Sequence, residues 1–128
     1  MKILLDTHVI LFIYSEENRI SSNARRALDD AANELIVSAI SIYEIVRKHM
    51  IGKLPQAGRF ISDWQAILAR DGFTLIDLRP DEAACAAAFP STHRDPFDRM
   101  LAAQALVNGL FLLSADTALD GFGVERLW

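Results

Sequence analysis

The stretch Ile3-Leu4-Leu5-Asp6 near the start of the sequence decides the fold class. Its first three residues form a short apolar run, which is typical of a buried strand, and an acidic residue stands where that strand ends. Similar short runs recur along the chain and predict four further strands. These strands are Glu34–Val37, Phe73–Ile76, Leu110–Leu113 and Val124–Leu127.

Segments with helical periodicity lie between the predicted strands. Helix starts are marked by Ser41 and by Asp95 before Pro96, and helix ends by Gly72 and Gly109. The alternation of strands and helices predicts an α/β fold with a parallel sheet. The predicted helices are Thr7–Tyr14, Ser22–Ala32, Ile42–Ile51, Arg59–Arg70, Pro80–Phe89 and Pro96–Asn108.

Length and composition favour one domain over residues 1–128, since 52% of the residues are hydrophobic and no linker or repeat interrupts the chain. Cys85 is the single cysteine, so no intramolecular disulfide can form, and we expect a reducing cytoplasm. Asp6 interrupts the apolar amino terminus, which argues against a signal peptide. No stretch approaches the roughly 20 apolar residues of a membrane span, so we expect no membrane association.

Acidic residues recur at one position relative to the predicted strands. Asp6 ends the first strand and Asp116 follows the fourth, while Glu44 and Asp98 lie on the first turns of two helices. Right-handed crossovers bring the carboxyl ends of parallel strands to one edge of the sheet, where ligands bind in such folds. We therefore expect the four carboxylates to lie close together.

Four neighbouring carboxylates repel one another unless a positive charge lies between them. An all-oxygen set suits Mg²⁺ or Mn²⁺ and does not suit zinc, whose Cys and His ligands are missing at any zinc-like spacing. A metal ion held in this way binds a phosphate oxygen and lowers the pKa of a water molecule. The acidic pattern therefore indicates phosphodiester hydrolysis.

The net charge of −4 at first argues against a nucleic-acid partner. If five of the 17 acidic residues surround bound cations, the other 12 are balanced by 13 basic residues. The five acids in question are Asp6, Glu44, Asp95, Asp98 and Asp116. The rest of the surface is then nearly neutral, and the objection loses most of its weight.

Each acid also has an alternative interpretation as a helix cap. Asp6 and Asp116 stand where a helix or turn begins, and Ser41-Ile42-Tyr43-Glu44 has the spacing of a capping box. Asp95-Pro96-Phe97-Asp98 is an ordinary helix start with a second acid in its first turn. Caps explain acids at helix starts, but not an acid after a buried apolar strand at both ends of the chain.

Four segments of the sequence resemble the ordered acidic motifs of PIN domains, and specifically those of VapC toxins. The resemblance covers essentially the whole chain, and the third segment is its most specific part. The segments are Leu4-Leu5-Asp6-Thr7-His8, Ser38-Ala39-Ile40-Ser41-Ile42-Tyr43-Glu44-Ile45, His93-Arg94-Asp95-Pro96-Phe97-Asp98-Arg99-Met100-Leu101-Ala102-Ala103-Gln104-Ala105 and Ser114-Ala115-Asp116.

The resemblance implies a three-layer α/β/α sandwich around a central, mostly parallel sheet. It implies an endoribonuclease toxin that depends on Mg²⁺ or Mn²⁺, is inhibited by a VapB-like antitoxin and forms a homodimer. Its metal-site acids correspond here to Asp6, Glu44, Asp98 and Asp116. Asp95 then acts behind the metal ligands or as a helix cap, and Ser114 orients a metal-bound water.

Several basic residues near the motifs have two interpretations each. Arg94 and Arg99 either steady the substrate or the loop, or pair with Asp95 and Asp98. Another basic group contacts RNA phosphates or forms a solvated helix face. Its members are Arg47, Lys48, His49 and Lys53. Metal-activated hydrolysis needs no histidine base, so we assign no catalytic role to His8 or His93.

Two other functions compete with metal-dependent cleavage. Phosphoaspartate chemistry fits the strand-end Asp6, but a haloacid-dehalogenase-like domain needs a second Asp where His8 stands. A receiver domain needs an acidic pair by the first strand and a strand-end lysine late in the chain. The other alternative is a catalytically silent PIN-like module that binds RNA or a protein, which retained acids alone do not exclude.

Overall fold

A computed structural model describes residues 1–90 and 92–128 of the chain. In it, five strands form one sheet in the order β3-β2-β1-β4-β5, and every neighbouring pair is parallel. The strand that contains Ile3-Leu4-Leu5 is therefore central, as a run without polar residues requires. The strands are β1 (Lys2–Leu5), β2 (Glu34–Ser38), β3 (Thr74–Ile76), β4 (Phe111–Leu113) and β5 (Arg126–Leu127).

Six α-helices lie in the described part of the chain, each at a predicted position. Three short 3₁₀ segments that the sequence pattern did not predict are Glu17–Arg19, Pro55–Ala57 and Thr117–Phe122. The α-helices are α1 (Thr7–Ser15), α2 (Ser22–Asp29), α3 (Ala39–Met50), α4 (Gly58–Arg70), α5 (Pro80–Ala88) and α6 (Pro96–Asn108).

Two predicted helix boundaries were wrong by three residues. Helix α3 begins at Ala39 because the hydroxyl of Ser38 accepts a hydrogen bond from the backbone N–H of Ile40. The cap of α3 is therefore Ser38 and not, as the sequence had predicted, Ser41. Helix α2 ends at Asp29, since the carboxylate of Asp30 accepts from the N–H of Ala32 in a turn.

Three strands are shorter than predicted. Two of them begin late because the residue before the strand still hydrogen-bonds to the preceding helix. Gly72 and Gly109 have positive φ angles of 79° and 62°, as expected past a helix end. The N–H groups of Phe73 and Leu110 then donate to helix carbonyls, so β3 and β4 begin one residue later. Strand β5 pairs over two residues only.

Alternate residues of the sheet belong to two apolar cores, one on each face. Ile3 and Leu5 are completely buried on the face covered by α1, α2 and α4. Leu4 is completely buried on the opposite face, against Leu101 of α6. Burial of such side chains contributes roughly 1.5–3 kcal/mol each. The two cores confirm the three-layer α/β/α sandwich.

Helix α5 packs on the outer side of α6, away from the sheet. Cys85 on this helix is half-buried, so it is less enclosed than a core position. Within residues 1–90 and 92–128, no helix is both long enough and apolar enough to cross a membrane.

Candidate metal centre

Asp6 lies directly after β1, at the carboxyl edge of the sheet, and is 2% exposed. It is the first residue before α1, yet its carboxylate makes no capping hydrogen bond, so the cap interpretation does not account for it. Its Oδ2 atom accepts a hydrogen bond of 2.6 Å from the buried hydroxyl of Ser114, which follows β4. The carboxylate and the hydroxyl thus follow two neighbouring strands and lie hydrogen-bonded at the same edge of the sheet.

The environment of Asp6 keeps its carboxylate ionised. Burial raises the pKa of Asp6, but hydrogen bonds from His8 and Ser114 outweigh burial and hold the pKa below its ordinary value of 3.8. The Nδ1 atom of His8 lies 3.6 Å from Oδ2 of Asp6, and this contact raises the pKa of the half-exposed imidazole. A charged carboxylate is thus available at neutral pH.

Glu44 lies on α3, which leaves the neighbouring strand β2, and is 3% exposed. The predicted capping box with Ser41 does not form, because Ser38 caps the helix and Ser41 lies inside it. The buried hydroxyl of Ser41 instead accepts a hydrogen bond of 2.9 Å from Thr7, which fixes α3 beside Asp6. The carboxylate of Glu44 is bound by the ammonium group of Lys48, one helical turn further on.

Asp98 lies on the first turn of α6, and its side chain is 14% exposed. Burial, with the nearby charges of Asp95 and Asp6, raises the pKa of Asp98 to about 6 against an opposing hydrogen bond from His93. That bond joins Nε2 of His93 to Oδ2 of Asp98 at 2.9 Å. Asp95 itself caps α6, accepting from the N–H groups of Phe97 and Asp98.

Asp116 is half-buried and begins the 3₁₀ segment Thr117–Phe122. Its Oδ1 atom accepts from the N–H of Ala118, so the cap interpretation holds for this acid. Its own N–H donates to the hydroxyl of Ser114 at 3.0 Å. Ser114 therefore bridges Asp6 and Asp116. Its orientation of a metal-bound water stays a prediction.

Arg99 points away from the acids and holds the backbone at the end of α5. Its guanidinium donates five hydrogen bonds of 2.6–3.2 Å to backbone carbonyls. Neither Asp95 nor Asp98 pairs with it among the ion pairs of residues 1–90 and 92–128. Of the two roles predicted for Arg99, the contacts favour steadying the loop. The five carbonyls belong to Ala86, Ala87, Phe89, Pro90 and His93.

The other predicted basic residues divide into bound and free side chains. Lys48 binds Glu44 and also lies in the field of Asp95 and Asp98. The Nδ1 atom of His49 lies 2.7 Å from the carbonyl of Leu54, whereas Arg47 and Lys53 are exposed. Of these four residues, Lys48 is the one whose described contacts place it at the acidic edge.

The donor chemistry of the edge suits a hard divalent cation, because the acids there offer carboxylate oxygens. The pKa of Asp98 is raised mainly by burial and further by the charges of Asp95 and Asp6, which a cation would offset. The side chains do not yet converge, however. In the described ranges, no three Asp, Glu, His or Cys side chains surround a common point. Lys48 already binds one oxygen of Glu44, and His93 already binds one oxygen of Asp98.

Sequence reasoning assigned no catalytic role to His93 and either a phosphate contact or a place on a solvated helix face to Lys48. Lys48 follows Glu44 by four residues, a spacing that does predict an ion pair on one helix face. His93 precedes the cap of α6, and nothing in that position predicts its contact with Asp98. Its ring reaches Asp98 because Arg99 fixes the path of the backbone.

A parallel α/β/α sandwich with acids after its central strands belongs to the α/β folds that bind ligands at the carboxyl edge of the sheet. Residues 3–124 match the PIN domain family, and the chain belongs to that family.

The chain is 35% identical over 118 residues to Ribonuclease VapC22 of Mycobacterium tuberculosis (strain ATCC 25618 / H37Rv). This match covers 91% of the chain and 88% of the relative. Identity to solved structures is lower, but their folds agree. The toxin–antitoxin complex VapBC2 from Rickettsia felis, solved with a DNA fragment from its promoter, gives a TM-score of 0.74 at 14% identity, with full coverage of both chains.

Two other solved structures have the same fold. FitAcB from Neisseria gonorrhoeae gives a TM-score of 0.60 at 24% identity and covers 97% of this chain and 95% of its own. VapBC-1 from nontypeable Haemophilus influenzae gives 0.67 at 16% identity, covering 98% and 96%. These likenesses confirm the predicted fold over nearly the whole chain.

Proposed function

We propose that this chain is a divalent-metal-dependent endoribonuclease that acts as the toxin of a toxin–antitoxin pair. The observation that carries the proposal is the joining of buried Asp6 and Ser114 across β1 and β4, with Glu44 and Asp98 on the adjacent helices. The relative named as a ribonuclease and the neighbours solved as VapBC complexes support the same conclusion. Mg²⁺ or Mn²⁺ is the cation that we propose.

The residues that would hold the cation are Asp6, Glu44, Asp98 and Asp116. When bound there, a divalent ion activates water and polarises the scissile phosphate. Side chains of the protein position these acids. Ser114 orients the carboxylate of Asp6 and the backbone of Asp116. Thr7 on α1 hydrogen-bonds to Ser41 on α3 and so holds the two helices together. Lys48, once released from Glu44, supplies a cation for a phosphate of the RNA strand.

The partners we propose are an RNA substrate, a VapB-like antitoxin and a second copy of the chain. The solved VapBC complexes support the antitoxin, since their toxin chains share this fold. The cytoplasm is the compartment that we propose, because a toxin of this kind meets its RNA there. Light scattering tests the homodimer, and a monomer at all concentrations would contradict it.

Cleavage of RNA by the purified protein with Mg²⁺ or Mn²⁺, and its loss in Asp6→Asn, test the proposed function. Loss of a ligand should cost more than the roughly 10–100-fold that loss of a supporting residue costs, so we expect at least about a hundredfold decrease. The matched control is Asp29→Asn, an exposed acid at the end of α2, which should cleave like the wild type.

Unchanged cleavage in a folded Asp6→Asn protein would contradict the assigned site. RNA binding by the wild type without product, in either metal, would instead favour a silent RNA-binding module.

A further inference from the structure

The guanidinium group of Arg99 donates to backbone carbonyls at the end of α5 and at three described residues before α6. A helix end leaves its last carbonyls without partners in the helix. Arg99 donates to two such carbonyls, those of Ala86 and Ala87, and then to those of Phe89, Pro90 and His93 further along. The position of His93 is therefore set by the planar five-donor group of Arg99.

The imidazole of His93 is also held by an aromatic contact. Its ring centroid lies 4.9 Å from that of Phe122, and the ring of Phe89 lies 4.6 Å from the same residue. Phe122 ends the 3₁₀ segment that Asp116 caps. His93 thus packs against the element that follows one acid while it hydrogen-bonds to another, Asp98.

The hydrogen bond between His93 and Asp98 has a defined direction. A carboxylate accepts, so Nε2 of His93 carries the proton and donates to Oδ2 of Asp98 at 2.9 Å. Side-chain exposures of 21% for His93 and 14% for Asp98 limit competition from water. Among the described side chains, His93 is the residue that hydrogen-bonds to the Asp98 carboxylate, and Oδ1 is left without such a bond.

We propose that His93 is a positioning residue for the candidate metal centre: it fixes the Asp98 carboxylate through Oδ2 and leaves Oδ1 available to a divalent cation. The inference rests on the proposed function, because it assumes that Asp98 is a metal ligand. Hydrogen bonds to ligating carboxylates orient them, and loss of such a partner typically weakens metal affinity by about 10–100-fold. Arg99 and Phe122 act through His93 and keep its ring in place.

The test uses Mn²⁺ alone as the probe, with binding measured by calorimetry or by the electron paramagnetic resonance signal of free Mn²⁺. His93→Phe keeps a ring to pack on Phe122 and removes the donor, so we expect Mn²⁺ affinity to fall about 10–100-fold. His93→Gln restores an N–H donor and should recover most of that loss. The matched control is His49→Phe. In the wild type, the imidazole of His49 contacts Leu54 at the far end of α3, so its replacement should leave Mn²⁺ affinity unchanged.

Cleavage at high Mn²⁺ separates positioning from direct participation. Excess Mn²⁺ should restore RNA cleavage in His93→Phe but not in Asp98→Asn, since only the first variant keeps every ligand. Unchanged Mn²⁺ affinity in His93→Phe would overturn the proposal. So would a folded His93→Gln protein as weak as His93→Phe, because the imidazole itself would then be a ligand, and so would an equal loss in His49→Phe.

The two proposals fail in different ways. A wild type that binds Mn²⁺ but cuts no RNA contradicts the nuclease function and leaves the role of His93 standing. A wild type that cuts RNA, with an affinity that His93→Phe does not change, contradicts the role of His93 alone.

Discussion

Two carboxylates of this molecule, those of Glu82 and Asp98, have opposite environments. Glu82 on α5 is 1% exposed and accepts hydrogen bonds from the backbone N–H of Arg79 and from the amides of Gln104 and Asn108. Burial raises its pKa, but these donors outweigh burial and hold the pKa below 4.5. Asp98 has one donor and two acidic neighbours, and its pKa is raised to about 6.

The difference teaches how a structural acid differs from a candidate functional one. Backbone and amide groups that satisfy both oxygens make Glu82 part of the packing between α5 and α6. Asp98 keeps an oxygen free among like charges, which costs stability unless a cation arrives. The hydrogen-bond partners of the two carboxylates distinguish them: three donors satisfy Glu82, whereas one donor contacts Asp98.

Replacement of a carboxylate by its amide should give the largest difference in RNA cleavage between the region of Asp98 and the region of Glu82. Asp98→Asn should reduce Mn²⁺-dependent cleavage by at least about a hundredfold, since it removes a charged ligand and not merely a supporting contact. Its fold should be unchanged. Cleavage assays at saturating Mn²⁺, with circular dichroism of the same samples, make the measurement. Cleavage at the wild-type rate would remove Asp98 from the site.

The two regions should also respond to pH with opposite signs when metal is removed by EDTA. Folding raises the pKa of Asp98 from 3.8 to about 6, so the folded protein binds the proton more tightly and the free energy of unfolding falls as pH rises between these values, by at most about 3 kcal/mol. Asp98→Asn should lack this fall. Denaturant titrations from pH 4 to pH 7 measure it, and an identical slope in both proteins would contradict the assignment.

Glu82→Gln should reduce stability and spare the metal centre. Its amide nitrogen would meet other donors, which leaves buried groups unsatisfied at a cost of roughly 1–3 kcal/mol. Because folding lowers the pKa of Glu82, the wild-type advantage is present above pH 4.5 and is lost as pH falls through the folded value. Thermal melts at pH 7 and pH 3 measure this advantage, and Mn²⁺ affinity should stay unchanged. A weakened affinity would show that the two regions are coupled.

Lys48→Gln should give the smallest effect, a rise of a few-fold in Mn²⁺ affinity. The ammonium group competes for the carboxylate of Glu44, and removing a like charge favours the incoming cation. Calorimetric titration at low ionic strength measures the change, and Lys53→Gln is the control, an exposed lysine beyond the end of α3. Weaker Mn²⁺ binding in Lys48→Gln would contradict competition.

Sequence reasoning predicted the parallel sheet because each strand is a short apolar run between helical segments, and β1 shows why. Ile3, Leu4 and Leu5 are completely buried, which only a central strand covered on both faces achieves. The start of α3 was less predictable. Ser38 and Ser41 both satisfy the rule for a cap, and the long-range contact of Ser41 with Thr7 distinguishes them.

The places of the acids at the carboxyl edge of the sheet could be predicted from the strands that precede them and the helices that carry them, but their partners could not. Their role as metal ligands stays a prediction. The bridge from Ser114 to Asp6 joins residues 108 positions apart, and the contact of His93 depends on the backbone path that Arg99 sets. Both are consequences of tertiary structure. The local sequence pattern does not show which oxygen of a carboxylate already accepts a hydrogen bond.

The hydrogen bond between Ser114 and Asp6 also has a consequence in time. During synthesis, the ribosome completes Asp6, Glu44 and Asp98 well before it makes β4 and the residues that follow. Until β4 pairs with β1, the carboxylate of Asp6 lacks its hydrogen bond from the hydroxyl of Ser114. Asp116, whose backbone N–H donates to the same hydroxyl, is then not yet positioned. The arrangement of Asp6, Ser114 and Asp116 therefore forms only after β4 has paired with β1.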